Sequence, residues 1–424
     1  MNRGQRFTYR GYAIDGDTII ATYDLDGHVF EERVTLPDAD LSSPAVNAIV
    51  ELWYLVAGLS YYKTGAPLEV DFGDHRVGEH GVALLRAAYL DGLGEFAFRN
   101  GLDLRDVSFV GGAPFDSPSM PAPSNSVLIP FGGGIDSCVT VEALGHLPRT
   151  LFIMSPLHAT FAPLEATAAA TGLPISRASR SLDLDGLRSH SRFNGHVPVT
   201  AMVTLLACVR ALSNGHGAVA MSNEHSSSVP NLVSEGRAIN HQWSKSAEAE
   251  QLLANAVAER VGPSFVVASY LRDRSELWVA QSFARLTQFH SVFRSCNRAF
   301  TQEQASRAMN WCGVCDKCLF INLVLAPFMD RPTLAAIFGS EPLATPALRG
   351  QLETLVGRSV NDKPFECVGD PGECAAAVVA IATLPQWSDI PALAALAAEL
   401  PTTPSLDELL QPLGVSRVPT HWLR

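Results

Sequence analysis

The sequence predicts an α/β protein: a doubly wound parallel sheet, preceded by an α+β domain and followed by a helical C-terminal part. Three observations support this prediction. Apolar and polar residues alternate around Asp-Gly pairs at the start of the chain, short apolar runs alternate with helical segments from residue 126, and stretches rich in Ala, Leu and Pro follow residue 331. These patterns are typical of hairpins, of a parallel sheet covered by helices, and of a helical region. The predicted division is 1–125, 126–330 and 331–424.

The N-terminal part begins with residues 6–35, whose alternating side chains and Asp-Gly pairs favour β-hairpins. Residues 44–62 and 80–99 have the apolar spacing of helices. A loop rich in Pro and Ser, residues 113–126, then indicates the first domain boundary. We therefore expect a small antiparallel sheet with helices that ends near residue 125.

The central part alternates strands and helices. Four short apolar runs, each suited to a strand buried on both faces, lie at 126–131, 150–155, 173–179 and 217–222. Helices are expected between them, near 136–146, 163–172 and 197–212. Strands joined by helices lie parallel, with helices on both faces of the sheet. Ligands of such sheets bind beyond the carboxyl ends of the strands.

The composition argues against several classes of protein. The 424 residues are 47% apolar and 17% charged, unlike a largely disordered chain. The net charge is −12, and none of the three parts has the surplus of Lys and Arg that a nucleic-acid backbone requires. The N-terminus lacks the apolar core of a secretory leader, and the most apolar helical stretch, 201–209, is about half a membrane span. We expect a cytoplasmic protein with no nucleic-acid or membrane partner; the sequence leaves the oligomeric state open.

A glycine turn follows the first central strand, where Gly132, Gly133 and Gly134 precede Asp136 and Ser137. The glycines let the backbone approach an anion, the free amides of the first helical turn point at the same place, and the serine adds a hydroxyl. Asp136 would repel a bare phosphate, so it indicates either a Mg²⁺ ion between them or a helix cap. The pattern is neither a Walker loop nor a dinucleotide loop. The sequence therefore predicts a phosphate site, with a simple capped turn as the alternative.

Four of the eight cysteines have metal-ligand spacing. Cys296 lies 16 positions before Cys312, and Cys315 and Cys318 follow at steps of three residues. Four thiolates on a compact turn suit a closed tetrahedral zinc site, with an iron–sulfur cluster as the competitor. Such a zinc ion has no open coordination position and is structural, and Lys317 can offset its negative charge. Buried free cysteines are the alternative without a metal.

Polar residues cluster where the predicted strands end. Asn223, Glu224 and His225 directly follow the fourth strand, and His241 and Lys245 lead into a helix. Further candidates in such loops and helix starts are Asn194, Arg272 and Glu276. Each residue alone is more often a solvated loop residue or a cap, but several clusters at one sheet edge indicate that some of them line a site.

These segments carry a resemblance to known proteins. GGGIDS (132–137) resembles the SGGxDS loop of the PP-loop ATP pyrophosphatases, whose fold is the adenine nucleotide alpha hydrolase-like doubly wound sheet. This chain has Gly132 where the usual motif has Ser, so one hydroxyl contact is missing. The combination with SYYKTGAP, EFAFRNGLD, NGHVPVT, SNEHS, NHQWSKS, CGVCDKCLF and KPFECVG resembles the ATP-dependent UDP-N-acetyl-alpha-D-muramoyl-L-alanyl-L-glutamate epimerases, the MurL-type family. The resemblance runs from about residue 6 to residue 370.

The resemblance implies an isomerase of peptidoglycan precursor synthesis that uses ATP and Mg²⁺ to invert the terminal glutamate of a nucleotide-sugar dipeptide. The loop of that superfamily holds the β- and γ-phosphates of ATP, which is split to AMP and pyrophosphate while the substrate carboxylate is adenylated. Adenylation makes the neighbouring Cα–H removable by a side-chain base. The candidates for base and acid are Glu224, His225, His241, Lys245 and Cys367, the last with a buried structural thiol as its alternative. Substrate contacts are expected from Asn194, Asn223, Arg272 and Glu276.

Three other functions stay open at this point. A 7-cyano-7-deazaguanine synthase-like enzyme also pairs an ATP loop with a four-cysteine zinc site, but the extra N-terminal region argues against it. A tRNA-modifying enzyme would need the basic surplus that this chain lacks. A non-catalytic nucleotide-binding or zinc-stabilised interaction protein would not need Asp136 and Ser137. Pyrophosphate release that depends on the muropeptide nucleotide separates the epimerase from all three.

Overall fold

The computed structural model describes residues 2–115, 118–122, 124–156, 160–299, 307–308, 310–358, 363–401 and 404–423 of the chain. Its strands are β1 (Arg6–Asp15), β2 (Thr18–Leu25), β3 (His28–Thr35), β4 (Glu69–Asp71), β5 (Ser108–Val110), β6 (Val127–Pro130), β7 (Arg149–Pro156), β8 (Ile175–Ser181), β9 (Ala218–Met221), β10 (Leu232–Ser234), β11 (Arg237–Ile239) and β12 (Val266–Ser269). Its α-helices are α1 (Pro44–Ala57), α2 (Leu59–Tyr62), α3 (Glu79–Ala87), α4 (Gly94–Asn100), α5 (Ile135–Ala143), α6 (Ala162–Ala170), α7 (Leu184–His190), α8 (Val199–Ser213), α9 (Ala247–Val261), α10 (Glu276–Ala284), α11 (Asp316–Leu325), α12 (Arg331–Phe338), α13 (Arg349–Leu355), α14 (Pro371–Ala382), α15 (Pro391–Glu399) and α16 (Leu406–Leu409).

Ten strands form one mostly parallel sheet in the order β12-β9-β6-β7-β8-β3-β2-β1-β4-β5, and β10 pairs with β11 as a separate hairpin. The five strands from β12 to β8 are parallel to one another. Strands β3, β2 and β1 continue the sheet in antiparallel pairs, and β4 and β5 add two parallel pairs at its far edge. The α/β class and the parallel central sheet are confirmed, while assignment to the PP-loop type stays a prediction.

The sequence predicts a separate small sheet for the N-terminal hairpins, but these strands are part of the ten-stranded sheet. Strand β3 pairs antiparallel with β8, with Val34 opposite Arg180. The pairing covers an edge of each sheet that would otherwise be open, and a buried ion pair between Arg180 Nε and Glu32 Oε1, 2.5 Å apart, lies at the junction. One apolar core combines Trp53 from α1 with Leu205 from α8. The sheet therefore crosses the expected boundary near residue 125, and the division into three parts stays a prediction.

The other face of the central strands carries a second core, in which β6 and β7 pack with the helices of the C-terminal part. Every described element after residue 331 is helical, as the composition predicts. Among the described residues, no helix combines the length and the apolar character that crossing a bilayer requires. The expected cytoplasmic location stays a prediction.

Candidate active site

The glycine turn lies at the carboxyl end of β6, where the order of the parallel strands reverses. Strand β7 pairs with one side of β6 and β9 with the other, and α/β sheets bind ligands in the crevice at such a point. Gly133 has a φ of +74°, and a Cβ there would lie 3.2 Å from Leu164 Cδ1. Helix α5 starts after Gly134 with no side chain capping it among the described residues, so its first amides can bind an anion.

Three other residues of the turn differ in what they contribute. A Cβ on Gly132 would meet no atom within 4 Å, so the serine of the usual motif would fit at this position. The Ser137 hydroxyl donates a hydrogen bond to the Gly134 carbonyl at 3.0 Å and so stabilises the turn. Asp136 lies inside the first turn of α5, while the N-cap position belongs to Gly134. The helix-cap alternative for Asp136 is therefore not what the structure shows.

A cluster of three carboxylates lies beside the turn. Oxygens of Asp136, Glu224 and Glu276 are within 4.8 Å of one another. Burial and the neighbouring charge of Glu224 raise the pKa of Asp136 to about 7, and burial and Asp136 raise the pKa of Glu276 well above its ordinary value. Among the described residues, Asp136 Oδ1 and Glu276 Oε2 have no hydrogen-bond partner. Crowded carboxylates with unpaired oxygens fit a hard divalent cation such as Mg²⁺.

A cavity of about 320 Å³ connects the turn to residues from distant parts of the chain. Asp136 and Asn223 line it near the sheet, and Lys245, Lys317 from the first turn of α11, and Cys367 also line it. Positive side chains around a carboxylate cluster suit an anion that arrives with a metal ion. The cavity therefore has the charge pattern of a metal–phosphate site.

Cys367 lies in this cavity although its segment follows the whole sheet in sequence. Its Sγ is 3.6 Å from Lys245 Nζ, and its carbonyl accepts a hydrogen bond from Lys317 Nζ. Burial disfavours the thiolate, but the positive charge of Lys245 and a hydrogen bond with His241 lower the pKa of Cys367 to about 6. By contrast, burial alone raises the pKa of Cys208. Cys367 thus has the environment of a reactive thiol, because its thiolate is favoured at neutral pH.

His241 connects Cys367 to a carboxylate of the N-terminal region. Its Nδ1 lies 2.5 Å from Glu95 Oε2. Burial lowers the pKa of His241, but hydrogen bonds with Cys367 and Glu95 outweigh burial and raise it to about 9. The His196 ring packs 4.2 Å away, between centroids, and burial and the charge of His241 lower the pKa of His196 to about 4. The result is a row of thiolate, imidazolium and carboxylate.

Arg272 and Asn223, predicted as substrate contacts, are both buried. Arg272 Nη2 donates to Glu250 Oε2 at 2.7 Å, and the guanidinium also donates to the carbonyls of Glu224 and Lys245, at 2.9 and 2.7 Å. These bonds fix the main chain that carries two residues of the site. Asn223 lines the cavity while its Nδ2 donates to Ser269 Oγ at 3.1 Å.

Two predicted residues are not brought together with the others. The His225 ring lies beside Gly414, where an added Cβ would be 3.5 Å from His225 Cε1. Asn194 is exposed, and its Oδ1 accepts hydrogen bonds from Lys63 Nζ at 3.1 Å and Gly195 N at 2.9 Å. Neither belongs to the cavity lining that the structure describes.

The four cysteines with metal-ligand spacing do meet. The Sγ atoms of Cys296, Cys312, Cys315 and Cys318 lie within 4.8 Å of one another, with 3.7 Å from Cys312 to Cys318 and 3.4 Å from Cys315 to Cys318. Four sulfurs around a tetrahedral zinc ion are about 3.8 Å apart, so the arrangement fits Zn²⁺. Lys317 leaves the same turn and reaches the cavity. Holding this turn therefore also positions a cavity lysine.

Family comparisons cover both regions that build the cavity. One family model, described as the MurL N-terminal domain, matches residues 1–270, and another, described as the MurL C-terminal domain, matches residues 292–410. The chain belongs to the MurL family. This confirms the family that the motifs indicated.

Curated MurL relatives match over most of their length. A protein of Salinispora tropica is 37% identical over 100% of this chain and 95% of its own, and one of a Micromonospora species is 38% identical over 100% and 98%. A protein of Xanthomonas oryzae pv. oryzae is 35% identical over 90% and 87%. Each is named UDP-N-acetyl-alpha-D-muramoyl-L-alanyl-L-glutamate epimerase. No solved structure matches the chain.

The two MurL regions each supply part of the site, and sequence reasoning missed some of these parts. Glu95, His241 and Lys245 come from the N-terminal match, and Lys317 and Cys367 from the C-terminal match. Glu95 was missed as a site residue, and Lys317 was assigned only to the cysteines. The only available indication for Glu95 was its presence in the EFAFRNGLD motif.

Proposed function

We propose that this MurL-family chain is an ATP-dependent epimerase that inverts the terminal L-glutamate of UDP-N-acetylmuramoyl-L-alanyl-L-glutamate through adenylation of its α-carboxylate. The enzyme class follows from the family, because the curated relatives are named epimerases and epimerases are isomerases. The observation that carries the mechanism is that one cavity is lined by both an anion-binding glycine turn and the thiol of Cys367. Activation by ATP followed by proton abstraction requires an anion site and a base in one place, and the turn and the thiol can supply them.

The first task of the site is to bind the triphosphate of ATP. The backbone N–H groups of the glycine turn and of the first turn of α5 donate hydrogen bonds to the phosphate oxygens. Lys245 and Lys317 line the same cavity and add positive charge. Asp136, Glu224 and Glu276 would hold Mg²⁺, which neutralises the charge of the departing pyrophosphate.

The second task is activation of the substrate. An oxygen of the glutamate α-carboxylate attacks the α-phosphorus of ATP, and pyrophosphate leaves. A free carboxylate has a poorly acidic α-proton, because its removal would place a second negative charge on the group. In the mixed anhydride with AMP that charge is gone, and nearby cationic side chains such as Lys245 stabilise the enolate that forms.

The third task is proton transfer at the α-carbon. The Cys367 thiolate removes the proton, since its sulfur lies in the cavity and is favoured in the charged form. The planar carbon is then protonated on its other face by the Lys245 ammonium, which lines the same cavity, while His241 stays bound to Glu95 and the thiol. Hydrolysis of the anhydride releases AMP and the D-glutamate product.

The test follows ATP, pyrophosphate and stereochemistry together. We expect AMP and pyrophosphate only with the muropeptide nucleotide, and D-glutamate on chiral analysis after hydrolysis. Cys367→Ala should still release pyrophosphate in a single turnover, but should neither invert the glutamate nor exchange its α-deuterium with solvent. Cys208→Ala, which removes a buried thiol of α8, is the matched control. This variant should release pyrophosphate, invert the glutamate and exchange its α-deuterium as the native protein does.

Other outcomes would contradict parts of the proposal. Full inversion by Cys367→Ala would remove the thiol from the mechanism. AMP formation without inversion by the native protein would instead support another ATP pyrophosphatase, such as a 7-cyano-7-deazaguanine synthase-like or tRNA-modifying enzyme. Absence of AMP under all conditions would refute the ATP-dependent adenylation itself.

A further inference from the structure

The proposed chemistry uses His241 and Cys367, but it leaves unexplained a buried carboxylate that contacts the histidine. Glu95 lies on α4 with only 5% of its surface exposed. Its Oε1 accepts a hydrogen bond from Arg99 Nε at 2.6 Å, one helical turn further on, and its Oε2 faces His241 Nδ1. Burying a carboxylate is unfavourable unless it is paired, so this side chain is held in place by two partners.

We propose that Glu95 is a positioning residue that orients His241 toward the Cys367 thiol and keeps the histidine positively charged beside it. The inference rests on the proposed function, in which Cys367 accepts the α-proton. It adds a role for the N-terminal region, which thereby completes the active site.

The geometry supports action through the histidine. A carboxylate on Nδ1 fixes the ring and leaves Nε2 for the thiol, the same order of nucleophile or base, histidine and orienting acid that activates thiols in many enzymes. Arg99 holds the other oxygen of Glu95, so the carboxylate cannot rotate freely. The His196 ring closes one side of His241, and burial keeps that second histidine neutral by lowering its pKa.

Several charged or titratable groups surround this row and set the expected sign. They are Glu95 and Arg99 from α4, Lys63 after α2, His196 before α8, Lys245 before α9, Lys317 from α11 and Cys367 itself. In the native protein the positive neighbours favour the thiolate. Without the Glu95 carboxylate, His241 loses its proton at lower pH, and the thiolate then loses one positive partner. The pKa of Cys367 must therefore rise toward its ordinary value.

The test measures the reactivity of Cys367 directly. Zinc-loaded full-length protein is treated with iodoacetamide from pH 5 to 9, and alkylation of the Cys367 peptide is followed by mass spectrometry. We expect Glu95→Gln to move the midpoint upward by about one pH unit, which is about a fivefold loss of alkylation rate at pH 6. Glu95→Asp keeps the charge and should recover part of the shift. Glu51→Gln, at a buried N-terminal carboxylate that pairs with Arg76, should not move it.

A double-mutant cycle separates positioning from a general structural effect. In a His241→Gln background, adding Glu95→Gln should cause no further shift, because the path through the histidine is already broken. A full additional shift, or an unchanged midpoint in Glu95→Gln that still unfolds cooperatively, would overturn the proposal. Glu95→Gln should also lower kcat for inversion and leave the KM for ATP unchanged.

These readouts keep the two proposals distinguishable. Alkylation needs neither ATP nor the muropeptide nucleotide, so it reports on Glu95 even where no inversion occurs. An unshifted Glu95→Gln in an active epimerase would refute the positioning role alone. A shifted midpoint in a protein that makes no AMP would refute the adenylation alone.

Discussion

Replacing Asp136 by Asn separates the stability of the site from its activity. The substitution preserves the size of the side chain and removes one of three carboxylates whose oxygens lie within 4.8 Å of one another. With an effective dielectric constant of about 20, two unit charges at that distance repel by roughly 3 kcal/mol. Lys245 and Lys317 offset part of this repulsion. Without Mg²⁺, we therefore expect Asp136→Asn to raise the free energy of unfolding, by about 1–3 kcal/mol.

The assay compares urea unfolding at pH 8 and low ionic strength, in chelator and in Mg²⁺, with pyrophosphate release on the same samples. Mg²⁺ should stabilise the native protein more than the variant, because the variant has lost a ligand. The variant should also fail to release pyrophosphate. Asp185→Asn on α7 serves as the control, since that carboxylate is fully exposed and should affect neither measurement.

Two results would refute this reasoning. A less stable Asp136→Asn protein in chelator would mean that the carboxylate contributes favourable contacts that outweigh the repulsion. Undiminished pyrophosphate release would mean that Asp136 does not hold the metal ion.

Three further predictions concern other parts of the site. The kcat/KM for inversion should rise with pH through about 6, as Cys367 loses its proton, and fall through about 9, as His241 loses its proton. A flat profile from pH 5 to 9 would contradict the roles of Cys367 and His241. Gly133→Ala should destabilise the protein by about 1–2 kcal/mol and weaken ATP binding, because of its left-handed backbone and the close Leu164. An alanine at Gly132 has open space, so Gly132→Ala should neither destabilise the protein nor weaken ATP binding. Equal effects of the two variants in urea unfolding and ATP titration would be inconsistent with the turn geometry. Cys315→Ser should reduce bound zinc, measured by metal analysis, and raise the KM for ATP because Lys317 is displaced from the cavity. A zinc-free variant with an unchanged KM would show that the cysteine cluster does not position Lys317 for ATP binding.

The local sequence pattern was sufficient to locate the hairpins, the apolar strands of the central sheet and several of the helices. The hairpins β1 to β3, the strands β6 to β9 and the helices α1, α5, α6 and α8 lie where the patterns indicate. Strands β4 and β5 have only three residues each, which is too short for an alternating pattern to be recognised. Strand β12 was also missed, although β6 and β9 are no longer. The pairing of β3 with β8 was also missed, because edge-to-edge contact between distant strands leaves no local pattern.

The site shows the same division between local and long-range information. The glycine turn and the four cysteines are compact motifs, and their spacing alone indicated a phosphate site and a metal site. The environment of Cys367 depends on Lys245 and His241, more than a hundred residues earlier in the chain, so its perturbed pKa could not be derived from the sequence. Glu95 resembles an ordinary surface partner of Arg99, four residues on, and only folding shows that it is buried.

The position of Cys367 along the chain has a consequence for how the protein is made. Strand β12 ends at Ser269, so the entire sheet, the glycine turn and the Glu95–His241 pair are synthesised before the thiol. A chain that ends there contains the glycine turn but lacks Glu276 of the carboxylate cluster and both Lys317 and Cys367 of the cavity. Only when the later helices pack does residue 367 reach Lys245. The site is therefore complete only after the C-terminal portion has folded, so any activity of this site reports on the folding of the whole chain.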